Sequence, residues 1–279
     1  MLMSYFISDI KKTCKSRIVH ILSLFLLAIM VFDPISVYFQ GVQHPEMFDY
    51  IGKNPFPFWL LMNSVNWGNS IYNTLFFVFP VLVTGLVFYN ECTSSMLSFL
   101  ITRDSKKKYM ISKVLSTFVF SLLFFFLLLL INLLTTYIVF DIDAKPSDYY
   151  NTIIPKAGSF AFGAFEKNPF LMALLYTTLN AVALAIFSVF SIAIHMIIEL
   201  KNQYIAIAVP IVIMYVITFV FDSTISLFRY NISMILQPAA AYGLTVVISY
   251  YDVAITFLAW IFIDILLVTI GYLRRSDIL

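Results

Sequence analysis

Apolar residues in this chain run in continuous blocks of about twenty, the length a helix needs to cross the hydrocarbon of a bilayer. In lipid, only helices and closed barrels satisfy every backbone hydrogen bond. Blocks of this length without period-two alternation select helices. Composition agrees: 61% of the residues are hydrophobic and 11% charged, against roughly half and a quarter in soluble domains. No water-soluble core hides that much apolar surface. The net charge of +2 is too small to point to nucleic acid.

The expected fold is all-α and integral to the membrane, a single domain over residues 1–279 with six spans. These are Ile18–Tyr38, Ser70–Tyr89, Val114–Phe140, Phe170–Ile198, Tyr204–Phe221 and Val253–Tyr272. Asp33–Pro34 is expected to mark the outer end of the first span, since a residue before proline resists helical geometry. Pro80 and Pro210 interrupt the second and fifth spans and are expected to bend them. Ahead of the first span, residues 3–16 form an amphipathic interfacial helix, with Met3, Phe6, Ile7, Ile10 and Cys14 opposite Asp9, Lys11, Lys12 and Lys15. The alternative is a merely solvated helix. The run that follows is long enough to span, so it reads as an uncleaved anchor.

Orientation follows from Lys and Arg. Lys11, Lys12, Lys15 and Arg17 precede the first span, and Arg103, Lys106, Lys107, Lys108 and Lys113 separate the second from the third; Lys201, Arg274 and Arg275 share that side. The opposite connections are longer, yet hold only Lys53, Lys145, Lys156, Lys167 and Arg229. The positive-inside rule therefore predicts both termini in the cytoplasm; a bacterial plasma membrane is the expected location. Acids such as Glu46, Asp141 and Glu166 fall outside, with Phe56, Phe58, Trp59 and Trp67 expected as interfacial rings. Both cysteines, Cys14 and Cys92, fall on the cytoplasmic side, so no disulfide is expected. Between Asp222 and Asp252, the apolar stretches Ile225–Leu236 and Ala239–Val247 are too short to cross; they read as an external re-entrant pair or as a hairpin packed on other spans.

Sites for catalysis are scarce. Gly158 and Gly163 have phosphate-loop spacing, but Ala164 and Phe165 stand where Lys and Ser/Thr are required, so ATP hydrolysis by this chain is not expected. No HExxH or GxSxG occurs, and His20, His44 and His195 lie in separate segments. No metal, cofactor or catalytic residue is expected here; His20 and His195 read as membrane-edge residues. Asn231–Ile232–Ser233 fits the glycosylation pattern, a tripeptide that often arises by chance.

Asp264 sits in the middle of the sixth span, with no Lys or Arg inside any span to neutralise it. An ionised carboxylate there costs on the order of 3 kcal/mol. Asn132 and Asn180 lie at similar depth and are expected as hydrogen-bond donors to it, which makes Asp264 a packing element; the other reading places it in a transport pathway.

The connection from Glu91 to Lys113 carries the strongest local signal. Helix-starting hydroxyls at Thr93, Ser94 and Ser95 precede an apolar stripe of Met96, Leu97 and Leu100 and the basic run from Arg103 to Lys108. Such an amphipathic helix either slots into a partner or lies on lipid. In this layout the chain resembles the permease subunits of ABC-type exporters of the second class. In that family an acid ends the second span, a small-residue turn opens a coupling helix, and a basic Ser-Arg-like stretch leads to a lysine at the third span. Glu91, Thr93-Ser94-Ser95, Arg103-Asp104-Ser105-Lys106 and Lys113 match those places in order; Ser94-Ser95 replaces the family's frequent Gly-Thr. The terminal 273–279 stretch, Leu-Arg-Arg-Ser-Asp-Ile-Leu, also looks like the family's ending.

The resemblance implies a cytoplasmic ATPase subunit that holds ATP and Mg2+, a second permease subunit (identical or related), and coupling through Glu91, Thr93, Ser94, Met96, Leu97, Leu100, Arg103 and Lys113. It also makes the first helix an elbow helix and the segment before the last span the external re-entrant pair. An amphipathic peptide or toxin, or a hydrophobic compound, suits so uncharged an interior. The competing classes are an ion-coupled secondary transporter using Asp264 and a non-transporting scaffold or sensor.

Overall fold

A computed structural model describes residues 2–63, 66–94, 106–141, 157–198, 202–224, 226–238 and 247–274. Among them all regular structure is helical. Five helices are long and apolar enough to cross a membrane, or six if one bent pair counts as a single span. In chain order they are α1 (Leu2–Lys15), α2 (Arg17–Gln43), α3 (Pro45–Ile51), the pair α4 (Trp67–Thr74) and α5 (Val78–Thr93), α6 (Lys106–Val139), α7 (Phe162–Lys167), α8 (Pro169–Ile197), α9 (Gln203–Ser223), α10 (Ile232–Ile235) and α11 (Tyr250–Arg274).

The central helix is α8. Of its most apolar stretch 89% is buried, against 33% or less for α2, α6, α9 and α11. Its inward positions include Ala181, Ala185, Ser188, Ser191 and Ala193, small residues that let neighbouring backbones approach where hydrophobic attraction between helices is absent. The sequence also starts it cleanly: the Asn168 side chain accepts from the Phe170 amide at 2.9 Å, and Pro169 occupies the first turn. On α11, Gly271 lies against the Cβ and backbone of Met196, so an added Cβ there would push α11 off α8. The outer helices leave large apolar side chains such as Phe32, Ile138, Phe219 and Leu258 exposed, as lipid-facing surfaces do.

Several expectations from the sequence are corrected. The first span does not end at Asp33–Pro34: α2 continues through Pro34 to Gln43. Pro34 has no amide to offer the Met30 carbonyl four residues earlier, and the Asn132 side chain of α6 donates to that carbonyl instead, at 2.9 Å. The lost helical bond is replaced from the neighbouring helix. The second span does not run straight from Ser70 to Tyr89. It breaks between α4 and α5 with a bend of 61°, upstream of Pro80, and a π-helical turn, Val81–Gly85, follows the proline. Pro210, by contrast, lies inside α9 without ending it.

The start of the broken span is held to the first span. Asp33, wholly buried, accepts from the Gly68 amide at 3.1 Å and from the Asn66 side chain, which itself caps α4 by accepting from the Trp67 amide. A Cβ at Gly68 would collide with the Asp33 carboxylate. Carboxylate and helix N-terminus attract, so this contact pins the start of α4 to α2.

Phe56, Phe58 and Trp59 are buried in the core rather than lying at an interface, while Trp67 stays partly exposed. The loop that carries them folds in over the bundle: Phe58 stacks on Phe140 with ring centres 4.5 Å apart, and Asn69 donates to the Leu60 carbonyl at 2.6 Å. His20 is exposed, but His195 is buried on α8, its Nδ1 2.6 Å from Ser191 O. Of the segment before the last span, the described part is a 3-10 turn at Phe228–Tyr230 and the single turn α10, whose Ile232 and Ile235 are buried with Leu236. That half is packed on the bundle; most of 239–247 lies outside the described residues.

Candidate functional site

At the end of the bundle where α1 lies, three helices meet around a cluster of buried charges. On α6 the residues Tyr109, Lys113 and Ser116 stand at spacings of four and three, one face of a helix. On α5, Phe88 and Glu91 do the same, and on α1 Asp9, Lys12 and Thr13. Lys113 is the centre. Its Nζ is 2.7 Å from Glu91 Oε2 and 3.7 Å from Asp9 Oδ1, and it lies 5.6 Å over the Phe88 ring. Glu91 also accepts from Tyr109 OH at 3.1 Å and has Lys12 Nζ at 3.8 Å; Ser116 Oγ lies 3.4 Å from Asp9 Oδ2.

Burial decides how these charges behave. Asp9, Glu91 and Lys113 are 4%, 6% and 2% exposed, so each ion has given up its hydration and depends on its neighbours. Two carboxylates and two lysines balance, but unevenly: Lys12 stands at the rim, and Lys113 sits closer to Glu91 than to Asp9. Asp9 is the weaker-held acid. Burial, the largest influence, pushes its carboxyl above the ordinary value; the Glu91 charge adds to this, and Lys113, Lys12 and the Ser116 hydroxyl oppose it.

The sequence-derived residues are distributed as follows. Glu91 and Lys113 are in direct contact. Thr93 and Ser94 sit at the end of α5 and turn back on it: Thr93 Oγ1 donates to Tyr89 O at 3.2 Å and Ser94 Oγ to Glu91 O at 3.1 Å. They cap the end of α5, because the carbonyls of a helix C-terminus are the nearest acceptors; the helix they are expected to open lies outside the described residues. Met96, Leu97, Leu100 and Arg103 lie outside the described residues. The cluster therefore ties together both stems of the 95–105 connection.

Asp9, Lys12, Tyr109 and Ser116 were not legible as site residues. The expected faces of α1 are corrected accordingly: Asp9 and Thr13 turn inward, and Met3 and Ile7 remain 66% and 43% exposed. A lone acid on a helix whose inner neighbours are Phe6 and Ile10 was the available signal; what settles its direction is the lysine on another helix.

Asp264 occupies a second polar position. It is 6% exposed, and it shares a face of α11 with Trp260, which packs edge-on against Phe187 and Phe190 of α8. Asn132 and Asn180 do not pair with it. Asn132 serves the Met30 carbonyl; Asn180 donates to Tyr176 O and Leu236 O, both at 2.9 Å, and accepts from Tyr72 OH at 3.1 Å. Both asparagines answer backbone acceptors nearer to them, and Asp264 Oδ1 has no hydrogen-bond partner. Among the described residues no group of three or more His, Cys, Asp and Glu side chains could hold a metal ion.

Comparison with protein-family models, curated proteins and solved structures returns no match.

Proposed function

We propose that this chain is the membrane-spanning permease subunit of an ATP-driven exporter, working beside a second permease subunit, with ATP and Mg2+ held by a separate cytoplasmic ATPase. The observation that carries the reading is the buried ionic cluster at the two stems of the 95–105 segment. A surface loop with no mechanical duty needs no such anchorage. Force applied to that segment would pass through Glu91 and Lys113 into α5 and α6, and through Asp9 into α1, as one body. The bend between α4 and α5 then offers a place where motion of the inner half changes the outer half. The cargo that suits so apolar an interior is an amphipathic peptide or toxin, or a hydrophobic compound.

On this reading the basic end is cytoplasmic and both termini are inside the cell. Cys14, which is exposed, should resist a membrane-impermeant thiol reagent in intact cells and react in inverted vesicles. The functional test is Leu97→Asp and Leu100→Asp, expected to abolish co-purification of the ATPase with unchanged amounts of folded permease. Unchanged co-purification would defeat the proposal.

A second reading rests on Asp264, a buried acid with an unpartnered oxygen and no cation in its span. Such a group suits a proton-coupled transporter. Dissipating the proton gradient while ATP is kept constant separates the two: export should continue in the first case and stop in the second.

A further inference from the structure

At the opposite end of the bundle from the ion cluster, α7, the start of α8 and the start of α11 enclose a groove of about 630 Å³, within the range of single-ligand sites. One wall is Leu171, Leu174 and Leu175 of α8. Leu171 and Leu175 are each 43% exposed, so the groove is open sideways where lipid would stand. The other wall is Tyr250, held by its ring contact with Phe160 at 5.0 Å. Gly163 leaves space at the top: a Cβ there would meet nothing within 4 Å. At the rim, Glu166 and Lys167 present opposite charges at adjacent positions.

The depths match an interface. With a rise of 1.5 Å per residue, Leu171 lies about 5 Å and Leu175 about 10 Å below Asn168, the cap of α8; that is the distance from headgroup level into the acyl region. Charge is matched to a zwitterion. A phosphate fits Lys167, aided by the positive end of α8, and an amine fits Glu166. A lipid with net negative charge would offer the phosphate but leave Glu166 facing no cation. A choline headgroup brings charge without hydrogen-bond donors.

We propose that this groove binds one zwitterionic phospholipid with a primary amine, its phosphate on Lys167, its ammonium on Glu166 and the upper part of one acyl chain along Leu171, Leu174 and Leu175. The inference needs only that the chain spans a membrane; it does not depend on ATP-driven export.

The test uses the full chain in vesicles of phosphatidylcholine carrying a trace of phosphatidylethanolamine with a photoactivatable group near the top of one acyl chain, with adducts mapped by mass spectrometry. Labelling should concentrate on residues 163–175 relative to the more exposed Ile255–Phe262 face of α11. Unlabelled phosphatidylethanolamine should compete better than phosphatidylglycerol. Lys167→Glu should reduce groove labelling about three- to five-fold, the worth of one interfacial charge pair. Gly163→Leu, which fills open space rather than packed core, should block it while elution on size exclusion stays unchanged. Equal labelling of the groove and the α11 face, equal competition by the two lipids, or no effect of Lys167→Glu would overturn the proposal. So would an amphipathic peptide probe labelling the groove while the lipid does not, which would assign it to cargo.

Discussion

Replacing Lys113 by Met keeps most of the side-chain volume and removes the one wholly buried cation between Asp9 and Glu91. The two acids are 4% and 6% exposed and would face each other with, among the described residues, only Lys12 at the rim to offset them. Breaking a buried ion pair from one side costs about 3–5 kcal/mol, because the abandoned charge has neither water nor partner. At about 2–4 °C per kcal/mol for a chain of this size, the midpoint of thermal unfolding should drop by about 10 °C. Fluorescence-detected size exclusion of the detergent-solubilised protein after graded heating measures it. The triple variant Asp9→Asn, Glu91→Gln, Lys113→Met should recover to within about 1 kcal/mol of the parent, since replacing a whole buried cluster is nearly neutral. A parent-like midpoint for Lys113→Met alone, or a triple variant as damaged as the single one, would refute the reasoning.

Asp9 gives the cluster a pH dependence of defined sign. Its folded value is raised above the ordinary 3.8 by burial, so the folded protein holds that proton to higher pH than the unfolded chain. The Asp9 contribution is present below the ordinary value and is lost as pH rises through the raised one. The thermal midpoint of the parent minus that of Asp9→Asn, measured between about pH 4 and pH 7, should fall as pH rises; a flat or rising difference contradicts this. Asn132→Leu should cost about 0.6–1.7 kcal/mol, the range for a hydrogen bond between membrane helices. The cost should vanish in a Pro34→Ala background, where residue 34 regains the amide that serves Met30 O; an unchanged penalty in the double-mutant cycle would show that the Asn132 contact has another role. Asp264→Leu removes a buried, incompletely paired acid and should raise the thermal midpoint; a loss of stability would reveal a partner for the carboxylate.

The apolar blocks made the long helices legible because lipid imposes a length and tolerates few charges. Glu91 and Lys113 were each singled out only through the order of residues around the 91–113 connection, and nothing there told that they pair. Asp9 was not, because periodicity assigns faces on the premise that charges point outward. That premise fails when a cation on another helix receives them. Pro34 and Asn132 were each conspicuous, one as a helix breaker and the other as a buried amide, yet the bond that joins their two helices crosses 102 positions of sequence. The hold on the start of α4 had a similar origin: Asp33 accepts from the Gly68 amide, a contact between positions 35 apart. Pro80 marks a local weakness, but the break falls before it, between Thr74 and Val78. Phe56, Phe58 and Trp59 carried the same signature as interfacial rings, and only the path of the loop decides that they lie inside.

The proposed permease role requires a separate ATPase that grips the basic end of this chain through the segment whose stems Glu91 and Lys113 hold together. The direct measurement is ATP-driven uptake of a fluorescent amphipathic peptide into inverted vesicles, made from membranes that contain the permease and its ATPase and compared with liposomes containing the purified permease alone. Uptake should require ATP and both proteins, and should disappear in the Leu97→Asp variant while the amount of folded permease stays constant. Uptake by the permease alone, or uptake that survives Leu97→Asp, would contradict the account.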